Sequence, residues 1–519
     1  MTTPFSALAR LPGWAATLLC ALAGALVPLS FAPFNLWPLA MVGLFAFLCL
    51  LHRRSGRSAW WRAWAFGLGL YGVGVSWIYI SIHTYGNAPA PLAATMVGLF
   101  LLFVGLVFSL PFYLYGRWFS HHRFGPLLAF PALYLLGEWL RGWLLTGFPW
   151  LYLGYGHIDT WLAGWAPVLG VLGVSLLVLF TVSALAHGLL TAPRHWKPWV
   201  PALLVLVLWP AGFAFQQAEW TAPVGEPVSV GMVQPNIPQE LKWDPSFVQP
   251  TLDRLDSLSE GLWDNDWLIW PEAAIPKVYH QMLPYLNELN TRAEETNTGL
   301  ITGIIFDDAQ KRAFYNSVVG LGPALGIYHK RRLVPFGEYV PLESQLRGLI
   351  DFFDLPTSII HQGPWEQRGL QIGSVGISAL ICYEVVYPDL VARSARESQV
   401  LLTISNDAWF ADSIGPLQHM QMARMRALET RRPMIRATNN GVSAFVDHRG
   451  QIEKRAEQFV QTNLEGTIQP RSGNTPFMVW GSWPVVVLCG LVLVFLGVWR
   501  RHKRSASATP PHLANNPGQ

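Results

Sequence analysis

Apolar residues are spread so unevenly along this 519-residue chain that its gross architecture is constrained before any motif is considered. Runs long enough to cross a hydrocarbon core of about 30 Å fall near 12–31, 35–51, 63–82, 91–115, 125–143, 163–190 and 198–215, with an eighth near 478–499. Between about 220 and 475 the composition is that of an ordinary soluble protein. With 51% of all residues hydrophobic and only 13% charged, a purely soluble chain is excluded. The sequence therefore predicts a polytopic α-helical membrane domain of eight spans and an α/β domain inserted before the last of them. The expected divisions are 1–219 with seven spans, 220–475, and 476–519 with the eighth span and a disordered cytoplasmic tail rich in Pro, Ala and Asn. The first run is followed by six more before the insertion, so it reads as a retained span and not as a cleaved signal peptide.

Orientation follows from the cations. With the N-terminus on the cytoplasmic side, the inner segments carry Arg53, Arg54, Arg57, Arg62, Arg117, Arg123 and the basic cluster at 500–504, whereas the short outer loops carry only Arg141. This asymmetry places 220–475 outside the cytoplasm. The net charge of +4 is small and its positives gather at span ends, which points to membrane orientation and away from a nucleic-acid partner. Glu138 and Arg141 share one helix face at the end of the fifth run, where each can neutralise the other, as a structural ion pair or as a headgroup contact. Phe148, Trp150, Tyr152 and Tyr155 read as interfacial anchors, as do Trp77, Tyr79, His83 and Tyr85 at the outer end of the third run.

In the inserted part, strand-like runs recur at 228–233, 267–270, 300–306, 315–320, 325–328, 375–381, 400–405, 434–438 and 442–446, separated by helical patterns at 248–262, 280–296 and 418–431. Such alternation describes a layered α/β domain. Four cysteines are too few for a disulfide framework, and Cys20, Cys49 and Cys489 lie in apolar runs, leaving Cys382 as the thiol of the soluble part. Cys382 ends a buried-looking strand just before Pro388 opens a helix, where amides can stabilise a thiolate. Its structural alternative is a packed core cysteine. Glu272 and Lys330 also directly follow strands, and ligand sites in α/β sheets collect at such ends. A cysteine nucleophile needs a proton acceptor, which Glu272 supplies if burial lifts its pKa toward neutrality. It also needs a cation for the thiolate and the oxyanion, which Lys330 supplies. Taken singly, Glu272 is a turn carboxylate and Lys330 part of a solvated basic patch; Glu338 and Glu384 either order the lysine or are loop acids. His419 has no evident Asp or Cys partner in sequence, which disfavours a Cys-His dyad. Neither CxxC nor HExxH spacing is present, so no metal is expected.

Trp270-Pro271-Glu272, the segment 328–341 (YHKRRLVPFGEYVP) and Ile381-Cys382-Tyr383-Glu384 together resemble the Glu-Lys-Cys pattern of the nitrilase superfamily. The segments 401–410 (LLTISNDAWF) and 424–429 (RMRALE), with spans on both sides, narrow the resemblance to the membrane-anchored apolipoprotein N-acyltransferases. That resemblance implies an αββα sandwich facing the periplasm from the bacterial inner membrane, acting as a monomer. It implies Glu272 as general base, Lys330 as oxyanion-stabilising lysine and Cys382 as nucleophile. Glu338 is then a supporting acid, Tyr383 a neighbour of the nucleophile and Trp243 a mobile gating aromatic, with Glu384 and Asn406 completing the supporting or substrate-binding set. The family pattern has Gly where this chain has Ala411, a departure confined to local loop geometry. The implied reaction is ping-pong: a phospholipid acyl donor forms a thioester on Cys382, and the α-amino group of a diacylglyceryl-modified apolipoprotein takes the acyl chain, with no metal, nucleotide or coenzyme.

Fixing such a site at the outer leaflet avoids exposing acyl chains to water, at about 0.8 kcal/mol for each CH₂. The apolar stretch 342–355, with Leu346, Leu349, Ile350, Phe352 and Phe353, is expected to be a lid or membrane-dipping arm, or else a packed helix. Two other readings stand beside this one: a membrane-tethered nitrilase-type amidase, and a non-catalytic lipid-binding scaffold.

Overall fold

The computed structural model describes residues 11–191, 195–335, 337–339 and 360–508. The stretch 342–355 and the tail beyond 508 lie outside the described residues.

Among the described residues, five helices are long and apolar enough to cross a membrane, and six if the bent pair Gly56–Gly74 and Trp77–Tyr85 counts as one span, where the sequence predicts eight. The bend is 58°. The run near 35–51 is a 15-residue helix, Trp37–Leu51, and the run near 125–143 contains the 12-residue helix Phe130–Arg141. At 1.5 Å per residue, roughly 22 and 18 Å, both fall short of the hydrocarbon thickness. Pro38 lies in the first turn of Trp37–Leu51, where its missing N–H costs nothing, whereas a π-helical turn, Gly125–Ala129, leads into Phe130–Arg141. Helices Gly13–Leu26 and Gly56–Gly74 approach backbone to backbone: a Cβ on Gly24 would lie 2.0 Å from Phe66 O, and one on Gly69 1.9 Å from Ala21 O. Such small-residue contacts replace the hydrophobic drive that lipid removes.

The inserted part holds two seven-stranded sheets. One runs Thr462–Ile468, Val228–Gln234, Trp267–Ile269, Gly299–Asp308, Ala313–Leu321, Ile327–His329, with Ile275–Val278 also pairing Gly299–Asp308. The other runs Ile452–Arg455, Ala444–Val446, Met434–Thr438, Val400–Ser405, Val375–Ile381, Leu370–Ile372, Ala324–Leu325. Each has a parallel centre: 228–234, 267–269 and 299–308 in the first, 375–381, 400–405 and 434–438 in the second. A pairing of Ala222–Pro223 with Arg471–Ser472 brings the two ends of the insertion side by side.

Three cores divide the layers. Val230, Ile269, Ile301, Ile381, Ile404 and Ala437 meet between the sheets. Leu252 and Leu255, with Leu286 and Leu289, cover the far side of the first sheet from helices Val248–Ser259 and Leu283–Thr296. On the far side of the second sheet, Leu380, Val391, Met420 and Met425 belong to the same continuous core as Phe47, Phe66, Tyr134 and Leu179 of the helical bundle. The order is αββα, with one helical layer shared with the membrane-type bundle.

The sequence missed the strands Leu370–Ile372, Ile452–Arg455 and Thr462–Ile468. The last buries two of its seven residues, Leu464 and Ile468, the pattern of a solvated outer strand, which carries little apolar signal.

Candidate active site

Glu272 stands three residues beyond the strand Trp267–Ile269, with only 6% of its surface exposed. Gly303 of the neighbouring strand permits this turn: a Cβ there would lie 2.5 Å from Ala273 N and 2.6 Å from Pro271 O. Lys330 follows Ile327–His329 and is 1% exposed. Its Nζ donates to Glu272 Oε1 at 3.2 Å and to Glu338 Oε1 at 2.9 Å. Asn316 Nδ2 donates to the same two carboxylates at 2.8 and 3.0 Å, and Asn406 N donates to Glu272 Oε2 at 2.8 Å. Both oxygens of Glu272 are therefore fixed.

Cys382 ends the strand Val375–Ile381 and adopts φ +50°, a left-handed conformation that costs a non-glycine residue of order 1–2 kcal/mol. The turn that follows is held by Glu384, which accepts hydrogen bonds from Ile381 N (2.8 Å), Arg331 N (2.7 Å), Arg332 N (3.2 Å) and Tyr328 Oη (2.9 Å). Glu384 thus ties the cysteine turn to the loop carrying Lys330. These partners are backbone amides and a phenol, so Glu384 orders the lysine through its neighbours. Ala411, two residues past Trp409, has φ +45° and ψ −149°, a region glycine prefers, which explains why its pattern position favours that residue.

The electrostatics differ from the sequence expectation in one respect. Burial alone would raise the Glu272 pKa, but the ammoniums of Lys330 and Lys242 and the bonds from Asn316 and Asn406 outweigh it and hold the carboxyl below its ordinary value. Burial would lower Lys330, yet Glu272 and Glu338 overcome this and raise it. Burial pushes the Cys382 thiol up to about 12, the Glu272 carboxylate adds to the rise, and Lys330 partly offsets both. The resting site is a thiol beside a carboxylate–ammonium pair. Moving the proton from Cys382 to Glu272 keeps one negative charge in the site, so Lys330 exchanges one anionic partner for the other.

Two groups of residues escaped the sequence. Lys242 is buried and its Nζ donates to the main-chain oxygen of Glu272 at 3.0 Å, while adjacent Trp243 is half exposed. Burial lowers the Lys242 pKa to about 8, with the charges of Glu272 and Cys382 opposing the shift. Close to Cys382, Asp407 accepts from Arg436 Nη2 at 2.8 Å and from Ser405 Oγ at 2.7 Å. His419 Nε2 lies 3.2 Å from Cys382 O, and since a carbonyl only accepts, this nitrogen carries the proton. Burial lowers the pKa of His419, so its bare Nδ1 accepts from Arg436 Nη2 at 3.0 Å, and the 3.1 Å approach of Asp407 Oδ1 to that nitrogen is a contact of neighbours on one guanidinium. His419 does have an Asp neighbour; Asp407 lies twelve residues earlier on another element, which no local spacing reveals.

Of the remaining expected residues, Tyr383 Oη donates to Gly147 O at 3.1 Å and faces the bundle loop. Asn406 Nδ2 donates to Gln239 Oε1 at 2.7 Å, near Trp243 in sequence. Glu138 and Arg141, expected as an ion pair or a headgroup contact, both bond the loop that follows their helix: Glu138 Oε1 accepts from Leu153 N at 2.8 Å and Arg141 Nη1 donates to Trp150 O at 2.5 Å. Trp150, Tyr152 and Tyr155, expected as interfacial anchors, are buried. Trp150 Nε1 donates to Gln418 Oε1 at 2.7 Å and its ring lies 5.7 Å from that of His419.

Residues 23–185 match the family model for the apolipoprotein N-acyltransferase N-terminal domain, and residues 229–476 match that for carbon-nitrogen hydrolase. The chain is 44% identical over 487 residues to the apolipoprotein N-acyltransferase of Pseudomonas putida, covering 93% of this chain and 96% of that one. It is 45% identical over 510 residues to that of Azotobacter vinelandii, covering 96% and 97%. Identity to that of Vibrio cholerae is 40% over 498 residues, covering 94% and 97%.

Proposed function

Because this chain belongs to the apolipoprotein N-acyltransferase family, we propose that it moves a fatty acyl group from a phospholipid to the α-amino group of an apolipoprotein's N-terminal diacylglyceryl-cysteine, through a thioester on Cys382. The observation that carries the assignment of residues is the buried Lys330 bridging Glu272 and Glu338 in the electrostatic neighbourhood of Cys382.

Glu272 takes the thiol proton as Sγ attacks the ester carbonyl, and Lys330 pairs with the sulfur and then with the oxyanion. Collapse of the tetrahedral intermediate returns the proton to the leaving alkoxide, releasing lysophospholipid. In the second half, Glu272 accepts a proton from the incoming amine, the nitrogen attacks the thioester, and the C–S bond breaks as the amide forms. Glu338 keeps Lys330 in place through both halves. Trp243 gates the entrance, Asn406 and Glu384 hold the loops that carry Glu272 and Cys382, and Tyr383 anchors the nucleophile turn to the bundle.

In this reading residues 1–219 form the membrane domain, 220–475 the catalytic domain on the periplasmic face of the inner membrane, and 476–519 the last span and tail, in a monomer. The short helices Trp37–Leu51 and Phe130–Arg141 complete eight crossings with the help of flanking turns; the cation asymmetry supports this orientation. The substrates' shared anchorage in the bilayer supports it too, since neither chain need enter water.

Intact-mass measurement after incubation with phospholipid tests the assignment. A fatty-acyl increment on Cys382, released by hydroxylamine and passed to a diacylated peptide, is the expected result. An increment with soluble amides alone would favour an amidase, and none with either would favour a scaffold.

A further inference from the structure

Away from the cysteine turn, the helix Pro388–Ser394 and the segment leading into the last long helix enclose a cavity of about 570 Å³. Its walls include Trp139, Trp143, Trp480 and Trp483, with Arg393 and Arg396 beside them. Three of these indoles, Trp143, Trp480 and Trp483, are 48%, 42% and 62% exposed, a cluster placed where helix Phe130–Arg141 ends and helix Trp483–Ala508 begins. That is the depth at which tryptophan partitions in a bilayer.

The charges are not spent on one another. Arg396 donates from Nε to Met478 O at 2.6 Å and from Nη2 to Val479 O at 2.9 Å, which leaves Nη1. Asp389 has its oxygens engaged by Ser482 N at 2.8 Å and Ser482 Oγ at 2.9 Å. The guanidinium of Arg393 is exposed and has no hydrogen-bond or ion-pair partner among the described residues. Arg393 and Arg396 therefore line a pocket in which the only carboxylate among the described residues, that of Asp389, is already hydrogen-bonded.

A second cavity, of about 780 Å³, lies between helices Gly56–Gly74, Ala90–Leu114, Phe130–Arg141 and Trp483–Ala508; leucines, among them Leu136, Leu140 and Leu493, make up most of its wall, and Arg57 and Trp60 border it on the first of these helices. Trp139 borders both cavities. A cationic, indole-walled pocket that shares a wall with a hydrocarbon cleft complements a molecule with an anionic head and apolar tails.

We propose that these two cavities form a binding site for one glycerophospholipid of the surrounding leaflet, its phosphodiester held by Arg393 and Arg396 and its acyl chains in the leucine cleft. Guanidinium matches phosphate oxygens with paired, charge-assisted donors. Neither cavity is lined by Glu272, Lys330 or Cys382, so the lipid held here is bound and not consumed. It fills the seam between the last long helix and the catalytic sandwich that Arg396 already bridges.

Native mass spectrometry of the full chain carrying Cys382→Ala tests the site without any acyl-enzyme. Phosphatidylglycerol should be retained as one copy after gentle detergent exchange, and diacylglycerol with the same chains should not. Excess inorganic phosphate should fail to displace it, which separates a lipid headgroup from free phosphate. Arg393→Glu should lower the retained fraction about fivefold and Arg393→Gln about threefold, as expected for loss of a charge-assisted contact. Equal retention of diacylglycerol, displacement by phosphate, or retention unchanged in both Arg393 variants would overturn the site. In the Cys382 background the same Arg393 variants should still form the acyl-enzyme, so a failed lipid site and a failed catalytic assignment give different results.

Discussion

The two helical layers of the sandwich obey different rules. Helix Leu283–Thr296, on the first sheet, buries three of its 14 residues, Leu286, Leu289 and Ala293, and turns its charged face to solvent. Helix Gly415–Thr430, on the second, buries 14 of 16, among them Gln418, His419, Gln421, Arg426 and Glu429. One layer needs only an apolar stripe. The other lies between the sheet and the bundle, so its polar groups must find partners on both sides: Gln418 Nε2 donates to Gly74 O at 3.1 Å, and Glu429 Oε1 accepts from Val171 N at 2.7 Å. Contact with the bundle thus reaches within one hydrogen bond of Cys382, through His419.

The sharpest way to break this contrast is Trp150→Ala. Removing a fully buried indole that bonds Gln418 and packs on His419 should cost about 3–5 kcal/mol, read as a fall in thermal stability in detergent, with acyl-enzyme formation reduced as well. An effect confined to stability would mean that the bundle does not set the geometry of Cys382. Next in size is Asp407→Asn, which weakens the hold of Ser405 and Arg436 behind the cysteine; a slowing of acylation by about 10–100-fold is expected, with the fold retained. Single-turnover acylation rates check it.

A smaller effect belongs to pH. Burial raises the pKa of Glu429 to about 7 despite the Arg426 guanidinium, against an ordinary value of 4.5. The folded state therefore binds more protons than the unfolded one between those values, and its stability should fall as pH rises through that window. Glu429→Gln should flatten the dependence. The least effect is expected on the solvent-facing layer, where Glu295→Ala should change stability by less than about 0.5 kcal/mol. A cost of several kcal/mol there would erase the distinction between the layers.

The same contrast explains what could be read from the sequence. Amphipathic 283–296 and the buried strands announce themselves by periodicity, and three complementary residues at strand ends single out Glu272, Lys330 and Cys382. Helix 415–430 has no apolar stripe, because it has no free side, and so its partners were invisible. The pKa of Glu272 is hidden from the sequence for a related reason: its burial is legible, but Lys242 and the amide of Asn406 arrive from distant segments. The span count is less legible, because the runs near 35–51 and 125–143 keep their hydropathy while their α-helices, Trp37–Leu51 and Phe130–Arg141, are 15 and 12 residues long.

The core that runs unbroken from the bundle into the second sheet makes the hydrophobic anchor a structural wall of the enzyme and not a leash. Cut free at residues 220 and 475, the sandwich would carry an oily flank with orphaned amides and carboxylates, a surface prone to clump in water. Any water-soluble version of this catalyst would have to be redesigned along that flank before its chemistry could be asked about at all.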